Sequence, residues 1–133
     1  MRFKTAFYGI LAVIVVHILS IIFNFYGFWS SFDIPMHFAG GFVIGMLGIA
    51  IHHAVTDKHH FKNLPAWYHY LFVLGFVILI GVAWEFHEYL IDNTIGLWYG
   101  WLPTQPSIGD TMLDLLLDGA GALVAVRIFK EKL

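Results

Sequence analysis

The fold is decided by the stretch Asp110-Thr-Met-Leu-Asp114-Leu-Leu-Leu-Asp118-Gly-Ala-Gly121, in which three carboxylates spaced four residues apart open an apolar run. This spacing places the three carboxylates on one face of a helix. The apolar run continues to about Phe129, so the helix is expected to lie in lipid. An ionised Asp near the centre of a membrane span costs roughly 2.5 to 3.5 kcal/mol, and a partner must therefore offset this cost.

Composition places the whole chain in the membrane class. Of its 133 residues, 59% are hydrophobic and 12% are charged, and the mean hydropathy is +0.77. These values are typical of an integral membrane protein, and residues 1–133 are interpreted as one domain. The absence of cysteine means that any metal must be bound by carboxylate and imidazole groups. Membrane lipids, and no nucleic acid, are the expected partners.

The hydropathy pattern predicts an all-α membrane protein with four transmembrane helices, at about residues 5–25, 33–53, 67–91 and 110–129. The first segment contains no charged residue and is long enough to cross ~30 Å of hydrocarbon. A signal peptide is the alternative for this segment, but the apolar stretch is too long and no small-x-small cleavage site follows before Asp33. The links at 54–66 and 92–109 are predicted to be a polar surface loop and an aromatic interfacial loop.

The basic residues predict the orientation in the membrane. If the chain crosses the membrane four times, all seven Lys and Arg lie on the same side of the membrane. They are Arg2, Lys4, Lys58, Lys62, Arg127, Lys130 and Lys132. Because positively charged loops stay on the cytoplasmic side, both termini are predicted to be cytoplasmic.

The acids are distributed in the opposite way. Seven of the nine carboxylates fall at the outer ends of the second, third and fourth helices, namely Asp33, Glu85, Glu88, Asp92, Asp110, Asp114 and Asp118. No Lys or Arg is available on that side to pair with them. Either several acids share protons or a cation binds. A divalent metal is favoured because three helices direct acids towards one interior point.

The predicted ligands of one or two metal ions are Asp33, His37, Glu85, Asp114 and Asp118. Mixed carboxylate and imidazole ligation suits zinc, manganese, iron or magnesium. Two free carboxylates, Glu88 and Asp110, are candidate catalytic bases. Asp110 also follows Ser107 at the spacing of a capping box, so helix-start chemistry is the alternative for that residue.

Small residues share the acid-bearing faces of two predicted helices. They are Gly41, Gly45 and Gly48 in the second helix and Gly121 and Ala125 in the fourth. Small residues mark a face where a neighbouring helix approaches closely. The face that carries Asp33 and His37 is therefore predicted to be the interior of the bundle.

The remaining histidines receive more ordinary interpretations. His17 is either a further ligand or a hydrogen-bonded packing residue, and His87 faces away from the acids on its helix. The other group is interpreted as polar residues at the cytoplasmic interface, and it consists of His52, His53, His59 and His60.

The motifs Asp33-x-x-x-His37, Glu85-x-x-Glu88 and Asp114-x-x-x-Asp118-x-x-Gly121-Ala122 resemble those of the VanZ-like proteins and of the related small bacterial membrane family typified by YjdF. VanZ-like chains carry Gln and Asn where this chain has Glu88 and Asp118, and an Arg often precedes their late motif. Trp84-Glu85 and Gly109-Asp110 resemble the YjdF-like group more. The resemblance implies a multi-pass protein of the bacterial inner membrane. For the VanZ-like group it also implies glycopeptide-antibiotic resistance and the cell envelope.

The function predicted from these patterns is metal-dependent hydrolysis or transfer on a lipid or cell-envelope precursor at an outward-facing acidic site. A proton- or cation-coupled transport component is one alternative. Another is a non-catalytic membrane scaffold whose fold is stabilised by a bound metal. Four short helices enclose little volume, so a homo-oligomer or a partner subunit in the membrane is also expected.

Overall fold

A computed structural model describes residues 3–29, 31–59, 64–100 and 103–129 of the chain. These residues form helices α1 (Phe3–Ile22), α2 (Phe25–Phe28), α3 (Asp33–His59), α4 (Ala66–Ile91), α5 (Leu97–Tyr99) and α6 (Ile108–Phe129). A π-helical turn, Asp92–Gly96, joins α4 to α5. Several residues of the sequence predictions lie outside the described part, namely Arg2, His60, Lys62, Lys130, Lys132 and the side chain of His59.

The long helices fit a membrane protein. Within the described residues, three helical segments are long and apolar enough to cross a bilayer, Phe3–Ile22, Asp33–Lys58 and Ala66–Tyr99. The fourth predicted span corresponds to α6, which has 22 residues but carries Asp110, Asp114, Asp118 and Arg127. The all-α membrane class is therefore supported, whereas the fourth span and the orientation of the termini stay predictions.

The link expected at 54–66 is helical over its first part, because α3 continues to His59. Polar residues do not by themselves end a helix, and residues 54–59 contain neither Gly nor Pro. The side chain of Thr56 donates to the carbonyl of His52 at 2.9 Å, so its hydroxyl is satisfied within the helix. The next helix begins after Pro65, whose extended backbone precedes the first turn of α4.

The end of α4 also differs from the prediction, which placed a loop from residue 92. The helix instead continues through the π-helical turn and α5, and it ends at Gly100 with φ of 65°. Asn93 and Thr94 donate from their side chains to the carbonyls of Tyr89 and Leu90. These bonds compensate for the disturbed ladder of backbone hydrogen bonds at the π-helical turn.

Helices α3 and α6 lie side by side and run in the same direction, with Gly41 beside Asp118 and Gly45 beside Ala122. A Cβ atom at Gly41 would overlap the backbone of Asp118, and one at Gly45 would lie 3.1 Å from Cα of Ala122. The predicted close approach at small residues is thus confirmed. This approach brings the acids of α6 against His37 of α3.

The apolar core lies among α3, α4 and α6, and its largest fully buried side chains are Ile49, Val73, Val77 and Val126. Over the described residues, α1 packs mainly against α3 and contributes Ala6 to the core. Most other side chains of α1 are exposed, as expected for a helix that faces lipid.

Candidate metal site

The candidate site lies where the end of α4 meets the first turns of α3 and α6. All five predicted metal ligands are found there, and four of them are buried, with exposed fractions between 2% and 7%. Asp33, at the start of α3, is partly exposed. Three separate helices therefore direct acids into one region, as the helical periodicity predicted.

His37 lies at the centre of this group. Its Nε2 atom is 3.6 Å from Oδ1 of Asp33 and 3.9 Å from Oδ1 of Asp114. The opposite ring nitrogen, Nδ1, is 3.5 Å from Oδ1 of Asp118. One imidazole thus faces two carboxylates with one nitrogen and a third carboxylate with the other.

Two overlapping sets of side chains have the geometry of a metal site among the described residues. One is Asp33, His37 and Asp114, the other is His37, Glu85 and Glu88, and within each set the ligand atoms lie within 4.8 Å of one another. A metal with bonds of about 2.1 Å separates its ligands by up to about 4.2 Å, so small side-chain movements suffice to close either set. Asp118 belongs to neither set and instead contacts His37.

The two glutamates of α4 each have one satisfied and one unsatisfied oxygen. Trp84 donates from Nε1 to Oε1 of Glu88 at 2.9 Å, and Gln105 donates from Nε2 to Oε2 of Glu85 at 2.7 Å. Oε1 of Glu85 and Oε2 of Glu88 are buried and have no hydrogen-bond partner among the described residues. A buried carboxylate oxygen without a partner is costly, so these two atoms call for a cation or a proton.

Gln105 was not predicted as a site residue. It lies in the loop before α6 and reaches Glu85 across 20 positions of the chain. No periodic pattern marks a loop residue, so only the folded chain identifies this contact.

Asp92, one of the seven acids predicted at the outer ends of the helices, holds this loop in place instead of joining the site. Its Oδ1 atom accepts hydrogen bonds from the backbone N–H and the hydroxyl of Thr104, both at 3.0 Å. Its Oδ2 atom accepts the backbone N–H of Gln105 at 2.9 Å. Asp92 therefore positions the residue that contacts Glu85.

Asp92→Ala should release this loop. We expect amide hydrogen exchange at Thr104 and Gln105 to become roughly ten- to a hundredfold faster, because each loses a bond to a charged acceptor. Exchange followed by mass spectrometry or NMR measures this directly. The matched control is Asn93→Ala, which removes a side chain bonded only to the carbonyl of Tyr89; equal exchange in both variants would contradict the assignment.

The structure places Asp110 at the start of α6, where it is partly exposed and outside both candidate ligand sets. Its backbone N–H donates to Oγ of Ser107 at 3.1 Å. This bond is the helix-start contact that the capping-box alternative predicted. A carboxylate in a first helical turn is also stabilised by the helix dipole.

A second polar contact borders the acids. Nδ1 of His17 lies 2.7 Å from the hydroxyl of Tyr26, and the ring of His17 packs edge-on against Trp84 at 5.3 Å. Burial raises the pKa of the Tyr26 hydroxyl well above its usual range, and the nearby Asp33 and Glu88 carboxylates add to this effect. The hydroxyl therefore stays protonated at neutral pH, and it shares a hydrogen bond with Nδ1 of His17.

A cavity of about 320 Å³ opens beside the acids. Its polar end is formed by His17, Tyr26, Asp33, His37, Glu88 and Asp118, and its remaining walls are mainly aliphatic. Asp110, Asp114 and Glu85 do not line it. The acid cluster thus has one side that faces a space large enough for a small ligand.

The other histidines lie apart from this cluster. His52 is buried, and its Nε2 atom is 3.2 Å from Nδ1 of His69, near the far end of α3. His53 is partly buried beside it. His87 is exposed and packs on the ring of Trp84 at 5.2 Å, in agreement with its predicted outward direction.

The sequence matches one protein family and one curated relative. The profile of the family described as "Predicted membrane protein (DUF2238)" matches residues 1–131. An uncharacterized protein of Thermotoga maritima is 33% identical over 110 residues, which cover 82% of this chain and 53% of the relative. The chain thus spans about half the length of this curated relative. No solved structure matches the sequence.

Proposed function

The chain belongs to the DUF2238 family of predicted membrane proteins, and for this membrane protein we propose a metal-dependent activity on a lipid or cell-envelope precursor. The protein is proposed to be a multi-pass protein of the bacterial inner membrane. The resemblance of the motifs around His37 and Glu85 to those of VanZ-like and YjdF-like proteins supports this placement. The acid cluster supplies the chemistry, and the cavity beside it supplies the place for a substrate.

The proposed topology has α6 as the fourth span and both termini in the cytoplasm. Helix α6 runs beside α3 from Asp118 to Ala125 in backbone-level contact with Gly41 and Gly45. Since α3 is long and apolar enough to span a bilayer, we propose that α6 lies at the same depth. The acids of α6 are then shielded from lipid by their neighbours, which lowers the cost that excludes charge from a membrane span.

The observation that carries the proposal concerns one buried oxygen on each of Glu85 and Glu88, for which the described residues offer no hydrogen-bond partner. Both glutamates lie beside His37, which already faces three carboxylates. The described part of the chain places no Lys or Arg in this cluster to neutralise it. Hard oxygen donors with one imidazole fit zinc, manganese, iron or magnesium. The donor set therefore fits a divalent ion.

The set formed by Asp33, His37 and Asp114 is the better position for one ion. An Nδ1–H of His37 directed at Asp118 leaves the Nε2 lone pair on the side of Asp33 and Asp114. A carboxylate that fixes the histidine tautomer in this way is a common second partner of metal-bound histidine. Asp118 is thus proposed as a residue that positions the ring of His37. A second ion at Glu85 and Glu88 would have to share His37 with the first.

The residues then have distinct proposed roles. A bound ion would polarise a phosphoryl or carbonyl oxygen or activate a water molecule. Glu88 lines the cavity, and its free Oε2 atom is available to accept a proton from the nucleophile. Trp84 holds the other oxygen of Glu88 in place. Asp110 stays a secondary candidate base because it does not line the cavity.

Coupled transport is less well supported than catalysis. A proton relay needs titratable groups at intervals across the membrane. Between His17 and His37 and the proposed cytoplasmic side, the cavity walls are aliphatic and include Val13, Val43 and Val77. This lining suits a buried pocket that is closed towards the cytoplasm.

Glu88→Gln tests the proposed reaction. The protein, purified without chelators, should contain about one divalent ion per chain and release phosphate from a lipid phosphate in detergent micelles. The variant should keep the metal and lose turnover by roughly a hundredfold or more, as expected when a general base is removed. The control is Asp57→Asn, an exposed acid near the other end of α3. A wild-type protein without stoichiometric metal would overturn the proposal and favour shared protons or a scaffold.

A further inference from the structure

The cavity extends much farther from the acids than a metal site alone requires. It extends from the acids along the bundle between α1 and α4, and its aliphatic walls include Ile10, Val13, Ile14, Ile44, Val77 and Ile80. These residues lie within the three segments that are long and apolar enough to cross a bilayer. In the proposed topology, this space therefore lies at the depth of the hydrocarbon region of the bilayer.

The two ends of the cavity differ in chemistry. One end presents His37, Asp118 and Glu88, and Oε2 of Glu88 is buried without a hydrogen-bond partner in the described chain. The rest has few polar atoms, because aliphatic side chains and glycines form it. A ligand that fills it must be apolar along most of its length and polar at one end.

The wall between α1 and α4 is incomplete. These helices face each other across the cavity, yet within the described residues they have few direct contacts. At the polar end the rings of His17 and Trp84 bridge the gap at 5.3 Å. Further along, Gly40 lines the cavity, and a Cβ atom built there would have no neighbour within 4 Å.

We propose that this cavity binds one hydrocarbon chain of a lipid phosphate, which enters from the bilayer between α1 and α4 and places its phosphate at His37 and the surrounding acids. This inference deepens the proposed function and rests on it, because five carboxylates repel a phosphate unless a divalent ion lies between them. A chain that leaves the bilayer for this cavity exchanges one apolar surrounding for another. The phosphate therefore determines the affinity, and the cavity selects for an attached chain.

The test uses a lipid phosphate with a photoactivatable diazirine in its chain, added to the full-length, metal-loaded protein in bilayers. Mass spectrometry of the labelled peptides should place the label on residues 10–14 of α1 and 77–80 of α4. Gly40→Leu fills the cavity and should reduce this labelling at least about tenfold. Gly75→Leu is the matched control, because Gly75 is exposed on α4, also has open space around it and does not line the cavity.

A second probe with the same chain and a terminal alcohol should label these peptides at least about tenfold less than the phosphate. Equal labelling by both probes, or equal labelling of wild type and Gly40→Leu, would overturn the inference. Metal content is measured on the same samples. Metal-loaded protein whose cavity stays unlabelled overturns the lipid site and leaves the metal site standing. Strong phosphate labelling of a metal-free protein would overturn the metal, because protonated acids would then have to admit the phosphate, and it would leave the lipid site standing.

Discussion

His37→Gln should lower the affinity of the protein for divalent metal by more than about a hundredfold. Residues that only orient a ligand typically contribute ten- to a hundredfold to metal affinity, and a direct ligand contributes more. His37 belongs to both candidate ligand sets, so no single replacement elsewhere removes as much of the site. Calorimetric titration of chelator-treated protein with Mn²⁺ or Zn²⁺ measures the change in affinity.

The matched control for this variant is His87→Gln. His87 lies on the same half of α4 as Glu85 and Glu88 but is exposed and packs on Trp84. Its replacement should leave the affinity within about threefold of wild type. Asp118→Asn should fall between the two, with a loss of about ten- to a hundredfold, because it removes the acceptor for Nδ1. Unchanged affinity in His37→Gln would exclude both ligand sets.

Gly121→Ala should destabilise the fold by about 3 kcal/mol or more, at the upper end of the range for overpacking. Its new Cβ atom would overlap the carbonyl oxygen of Phe38 and the backbone nitrogen of Phe42. Backbone atoms cannot rotate away as a side chain can, so α3 and α6 must separate. Reversible unfolding in mixed micelles with increasing SDS measures the loss of stability.

The control for the packing variant is the same substitution two residues earlier. A Cβ atom at Gly119 would lie 3.7 Å from Cδ1 of Ile78, an ordinary contact. Gly119→Ala should therefore be neutral or stabilise the helix by about 0.5 to 1 kcal/mol. Separation of α3 and α6 should also move Asp114 away from His37, so Gly121→Ala is expected to lose metal. Similar stability of the two variants would contradict the packing assignment.

Helical periodicity was sufficient to place the acids of each helix on one face. Asp114 and Asp118 recur on one face of α6, and His37 follows Asp33 by one turn of α3. The glycines on the same faces then predicted which helices approach most closely. These properties are local, because the spacing along one helix fixes both the direction of a side chain and its depth in the membrane.

The functions of individual acids could not be separated in this way. Asp92 shares a helical face with Glu85 and Glu88, yet it binds the loop at Thr104 and Gln105. Asp118 shares a face with Asp114 but contacts the other nitrogen of His37. Each difference depends on the rotation of one helix relative to another and on the path of a loop, and neither follows from a repeat within one helix.

The sequence by itself determined the membrane class, the buried faces of the helices and the concentration of acids at one end of the bundle. Only the tertiary structure decided that Gln105 contacts Glu85, that Trp84 contacts Glu88, and that α1 and α4 leave a cavity between them. The physical reason is that hydropathy and spacing indicate whether each face of a helix contacts lipid or the interior of the bundle. The distances between segments result from packing, where glycines bring α3 and α6 into contact and the sparse contacts of α1 with α4 leave space.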